Sequence, residues 1–297
     1  MQLINAHSLT SDVNDWLENS HHPRILHIFD HACNLINERR EVLSIVTPQI
    51  GNGLFTLVIE DDVLLSDHLN VQSPISIRAN QLTLGDLTIN TANAEIWNPR
   101  PDWERLRANR PVILNQISSL PIPEYEILLP NSLISNLSIA LANNDISIAK
   151  TITSQLAGLG IGLTPSGDDF IMGAIYAAWI IHPLEIASVI AKEITNVASP
   201  LTTSLSAAWL RSAGRGETGI LWHQFFDALI SANKESIQET MNQILAVGET
   251  SGADALAGFF GVFASWAENV GATRQGLSDN FIVLGGSPLL LIQKIPS

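Results

Sequence analysis

The sequence predicts an α+β protein in which a β-rich N-terminal half is followed by a mainly helical C-terminal half. Three observations carry this. From about residue 33 to 97, short runs of Val, Ile, Leu and Thr are broken by Gly, Asn, Asp and Pro, the pattern of strands and turns. A Pro-punctuated stretch over 99–130 then changes the composition, and beyond it apolar residues recur at helical spacing. The expected division is a β-rich region over 1–128 and a mainly helical region over 129–297 carrying a glycine-rich loop.

Strands are expected at 41–47, 54–60, 75–78 and 82–96, with turn signals at Gly51-Asn52-Gly53 and Gly85-Asp86. Helices are expected over 133–142 and 146–159. Further helix starts are marked by Asn144-Asp145, Pro183, Ser199-Pro200 and Thr250-Ser251, with Pro200 suited to a first helical position. The segments 281–284 and 289–292 read as strands or one last short element.

The chain has 297 residues, 46% of them hydrophobic and only 15% charged, which describes a chain able to bury a sizeable core. Its formal net charge of -14 and unclustered Lys and Arg argue against nucleic acid and anionic membrane surfaces as partners, since both are held by clustered cations. Cys33 stands alone and the N-terminus lacks a basic segment followed by an apolar run, so the cytoplasm is the expected compartment. The apolar runs 170–181 and 255–267 fall short of the roughly 20 residues a spanning helix needs, and are expected to be buried helices.

One internal echo organises the helical half. Ser166-Gly167-Asp168-Asp169-Phe170-Ile171-Met172-Gly173 overlays Ser251-Gly252-Ala253-Asp254-Ala255-Leu256-Ala257-Gly258, and each copy runs into an apolar helix ending near a Trp. A helix start exposes unpaired N–H donors and partial positive charge, so two such starts could hold a phosphate or carboxylate. Gly162 and Gly167 would let a ligand approach the backbone, and Thr164, Ser166, Ser251 and Gly252 would contact it. The plainer reading is that Ser166 with Asp169, and Ser251 with Asp254, form capping boxes. Asp168 lies outside that box, and its counterpart is Ala253, so it is the first candidate for a general base, with Asp169 beside it.

A second constellation is Thr202, Thr203 and Ser206 at a helix opening, followed by Arg211 and Arg215, whose four-residue spacing could clamp an anion between two guanidinium groups. Surface arginines with capping hydroxyls are the plainer alternative. His21, His22, His27 and His31 cluster, and His27 and His31 would share a face in a helix, but no Cys or carboxylate pattern completes a zinc set. No nucleophile elbow, P-loop or dinucleotide fingerprint occurs.

The loop from Gly160 to Asp169, the run Thr202-Thr203-x-x-Ser206, the segment from Gly248 to Gly258, and Ala94-x-x-Trp97-x-Pro99 together resemble the AllH-like family over most of the chain. Ile161 stands where a proline is common in that motif. The resemblance implies a subunit of an oxamate carbamoyltransferase, working beside partner subunits in allantoin and purine-nitrogen breakdown. There oxalurate and phosphate are exchanged with oxamate and carbamoyl phosphate, so a small anionic substrate is expected and no firm cofactor. Competing readings are an enzyme of small amides or carboxylates using magnesium or manganese held by Asp168 and Asp169, and a non-catalytic scaffold subunit.

Overall fold

The computed structural model describes residues 2–120 and 128–269. The chain divides into two compact units, Met1–Pro101 with Thr218–Ile220, and Asp102–Glu217 with Leu221–Ser297. The α+β organisation is as expected, with strands in the first unit and helices filling the second. The expected elements 281–284 and 289–292 lie outside the described residues.

The first unit holds β1 (Gln2–Thr10), α1 (Ser11–Asn19), β2 (Arg24–Ile28), β3 (Ala32–Ile36), β4 (Val42–Val46), β5 (Thr56–Ile59), a single turn α2 (Leu65–His68), β6 (Ile75–Arg78), β7 (Gln81–Leu84), β8 (Leu87–Asn90) and β9 (Glu95–Trp97). Among the described residues the strands form one nine-stranded sheet in the order β2-β3-β4-β5-β1-β8-β7-β6, with β9 also beside β1. β1 is shared along its length. Gln2–Asn5 pair parallel with β8, and Ser8–Thr10 pair parallel with β9, while the other edge runs antiparallel to β5 past an irregularity between Ala6 and Ser8.

The run 82–96 breaks at the expected Gly85-Asp86 turn, where Gly85 takes φ +55 and Leu84 pairs with Leu87, and again at a turn in which the Ala94 amide bonds the Thr91 carbonyl, leaving three pieces. β1 escapes an alternation test because its buried positions include Ala6 and Ser8 beside Ile4 and Leu9, so the inward face is not uniformly apolar in sequence. His27 lies in β2 and His31 in the turn before β3, so the helical pairing considered for them does not form; the His31 ring meets the Thr47 hydroxyl instead. Cys33 is buried in this core, where loss of hydration pushes its thiol up to about 12.

The second unit begins with α3 (Trp103–Ala108) and α4 (Arg110–Ser119), both inside the Pro-punctuated stretch. Then follow α5 (Asn131–Ala142), α6 (Ile146–Leu156), α7 (Ser166–Ile181), α8 (Leu184–Ala198), a 3-10 turn Ser199–Leu201, α9 (Ser204–Gly214), α10 (Ile220–Ser231), α11 (Lys234–Leu245) and α12 (Ser251–Asn269). The helix expected to open at Pro200 opens at Thr203, whose hydroxyl caps the Ser206 amide at 3.1 Å; Pro200 sits only in the 3-10 turn. From Gly167 to Ile181 every residue of α7 is buried, as expected for a core helix.

The internal echo is a structural duplication that extends beyond the motif. Asn144 and Ala232 each take a positive φ, +58 and +54, and each is followed by a side-chain cap, Asp145 onto the Ile148 amide and Asn233 onto the Ser236 amide. α6 and α11 then run to α7 and α12. At each hand-over a glycine presses on the preceding helix: a Cβ on Gly167 would collide with the Leu156 carbonyl, and one on Gly252 with that of Ile244. The crossing of α7 and α12 is reciprocal in the same way. A Cβ on Gly173 would meet the Ala255 carbonyl oxygen, and one on Gly258 the Phe170 carbonyl oxygen. Each glycine stands seven residues after its Ser, and each carbonyl four.

Candidate functional site

The start of α7 is built around Asp168. Pro165 is the cap residue, its carbonyl accepting the Asp168 and Asp169 amides at 2.9 and 3.3 Å. Asp168 is buried, and three donors reach it: the Gly158 amide at 2.9 Å on Oδ1, and the Thr202 and Ser206 hydroxyls on Oδ2, the latter at 2.7 Å. Burial raises its pKa, opposed by the Thr202, Gly158 and Ser206 bonds. Asp168 therefore ties the glycine loop and the α9 opening to α7, with both carboxylate oxygens engaged.

The capping boxes do not form. Ser166 and Ser251 are the first helical residues rather than caps, and their hydroxyls cross to the opposite helix. Ser251 and Thr164 bond Asp169, whereas Ser166 and Thr250 bond Asp254. The Thr164 and Ser251 hydroxyls also meet each other at 2.9 Å. The two acids, 5% and 2% exposed, each keep an Oδ2 with no partner. Burial pushes Asp169 up to about 8; the Asp254 and Asp168 charges add to this, and the hydroxyls oppose it. Asp254 is also raised, again by burial first.

Thr164, Ser166, Asp168, Asp169, Thr202, Thr203, Ser206, Ser251 and Asp254 thus converge, with the Thr203 hydroxyl adding a 2.7 Å bond to the Leu163 carbonyl. Gly162, at φ +97, faces no neighbour within 4 Å. Gly167 and Gly252 act differently from the expectation of open donors. Their amides already bond the Leu159 and Val247 carbonyls at 2.9 and 3.1 Å, so neither is an open donor.

Arg211 and Arg215 are not brought to this cluster. At 1.5 Å per residue Arg211 lies about 12 Å and Arg215, just past the end of α9, about 18 Å along the axis from Thr203, and Arg215 is ion-paired with Glu217 at 2.6 Å. Among the described residues no group of three or more His, Cys, Asp or Glu side chains could hold a metal ion.

Two residues of this region were not among the site residues expected from the sequence. Thr250 backs Asp254 from just outside α12. Tyr176 is fully buried with an unpartnered hydroxyl facing the Glu217 and Asp169 charges, which together with burial raise its pKa. It follows Asp169 by seven residues, two helical turns, so a face-by-face reading of α7 could have found it.

Fold and site define a two-unit α+β protein whose helical unit duplicates a helical motif to bring two hydroxyl–carboxylate sets together, an arrangement suited to a small polar ligand. The chain belongs to the AllH family: the model for oxamate carbamoyltransferase subunit AllH matches residues 156–263, and the model for the AllH family N-terminal domain matches residues 5–96. The first match spans the glycine loop, the Thr202-Thr203 run and the second Ser-Gly copy. The family description makes it an oxamate carbamoyltransferase subunit, and so a component of an enzyme with other subunits. No solved structure matches the chain. Among the described residues no helix is long and apolar enough to cross a membrane.

Proposed function

We propose that this subunit takes part in exchanging oxalurate and phosphate with oxamate and carbamoyl phosphate, a cytoplasmic step of allantoin and purine-nitrogen breakdown, and that it holds the small anionic substrate where α7 and α12 begin. The observation that supports this is the crossed set of Ser166, Ser251, Thr164, Asp169 and Asp254, assembled from two separate parts of the chain. The reaction moves a proton as well as a carbamoyl group: when phosphate attacks the carbamoyl carbon of oxalurate, the departing oxamate nitrogen gains the proton that phosphate gives up. Asp169, pushed up to about 8, is suited to relay that proton near neutral pH. Asp168 positions the loop. The partial positive charge of two helix starts favours the anionic end of the ligand.

Leu159, Leu163 and Leu201 are exposed beside this cluster, and Ile161 is 93% exposed, which suits contact with a partner subunit. A thermal-shift panel of carbamoyl phosphate, oxalurate, oxamate, phosphate and nucleotides tests the reading. A ligand at one hundred times its Kd stabilises by about 2.7 kcal/mol, so a clear rise is expected for oxamate or carbamoyl phosphate. A rise with nucleotides alone, or with nothing in the panel, overturns it.

A further inference from the structure

Asp169 Oδ2 and Asp254 Oδ2 are buried acceptors without a donor, carried at equivalent positions of the two repeats. Burying a carboxylate oxygen unpaired is costly, and two in one cluster call for a donor that can serve both. Ser251 and Ser166 reach the Asp169 and Asp254 carboxyl groups from the opposite helix, and Thr164 and Thr250 reach them from just before each acid's own helix. What is left over is a receptor with two acceptors.

We infer that the Asp169 and Asp254 Oδ2 atoms receive the two N–H bonds of a primary amide nitrogen, so that the site selects a –CO–NH2 group over the –COO⁻ group of the same shape. The inference rests on the proposed ligand site and adds which end of the ligand enters it. A primary amide nitrogen offers two donors and no competing acceptor, matching what the repeats leave open. Once Asp169 has lost its proton, above about pH 8, a carboxylate in the same place would set its own oxygens against ionised acid oxygens. Thr164 and Ser251, which bond Asp169, are half-buried, and the 159–163 segment that leads into Thr164 is exposed.

Oxamate and oxalate differ only in this group. Isothermal titration of the full chain at pH 8.5, where Asp169 is mostly ionised, should show at least a tenfold preference for oxamate. Asp254→Asn and Asp169→Asn each replace an acceptor with an amide, and should lower oxamate affinity tenfold or more while raising that for oxalate. Circular dichroism establishes that each variant folds, and the wild-type comparison stands without them. Equal binding of oxamate and oxalate by the wild type, or an unchanged preference in both variants, overturns the inference and leaves the proposed function intact if oxamate still binds. Acetamide binding that is lost in both variants, with no response to oxamate or carbamoyl phosphate, would keep the amide receptor and remove the proposed reaction. Stabilisation of the wild type by magnesium or potassium chloride, absent in Asp254→Asn and without any amide response, overturns it in favour of a cation site. No binding of any amide overturns it outright.

Discussion

Gly173 lies directly against the carbonyl of Ala255, with no room for a single methyl between α7 and α12. The same relationship is repeated by Gly258 and the Phe170 carbonyl. Two backbones in contact at both points hold the helix starts, and so Asp169 and Asp254, at one separation. Interior packing this dense transmits any displacement.

Gly173→Ala should accordingly force the crossing apart. The obstacle is a carbonyl that cannot rotate away, so a loss at or above the usual overpacking range, about 3 kcal/mol, is expected in urea denaturation. Gly258→Ala should behave alike. Gly162→Ala meets no neighbour and should cost only its backbone strain at φ +97, about 1 kcal/mol. Equal midpoints for Gly173→Ala and the wild type would show that the helices do not pack in this way.

Asp168→Ala removes one acceptor group from three donors at once, the Gly158 amide and the Thr202 and Ser206 hydroxyls. Unsatisfied buried donors cost about 1–3 kcal/mol each, less where water can enter, so a total loss of roughly 3 kcal/mol is expected. Asp168→Asn keeps one acceptor and should lose less. Limited proteolysis within 158–164 should quicken in the order wild type, Asn, Ala; identical cutting rates would show that Asp168 does not pin this loop.

Stability should fall as pH rises. Asp169 titrates at about 8 in the folded protein against 3.8 for an ordinary aspartate, so between those values the folded form binds more protons than the unfolded one. Its contribution is complete below about pH 4 and is lost as pH climbs through the folded value, with a slope of up to about 1.4 kcal/mol per pH unit. Asp168 and Asp254 are raised as well and act in the same direction. The Tm should be lower at pH 8 than at pH 5.5, and Asp169→Asn should narrow the gap. An undiminished gap in that variant would place the proton on another group.

Much of the fold could be read from local pattern. Turn residues separated the strands at 41–47 and 54–60, and helix signals at Asp145, Pro183 and Ser251 marked true starts. β1 was hidden because Ala and Ser occupy inward positions. Pro200 misled because its fixed φ suits a 3-10 turn as well as an α-helix. Arg211 and Arg215 looked like a clamp by spacing alone. Spacing on one helix cannot say which end of that helix meets the site.

By itself the sequence determined that a β-rich half precedes a helical one, the two Ser-Gly copies and the family they resemble, because turn, cap and apolar periodicity act over a few residues. Only the tertiary structure decided which partner each side chain takes. Ser166 and Asp169 are three apart and read as one box, yet each bonds the other repeat, because two glycines let α7 and α12 approach until cross-helix bonds replace local ones.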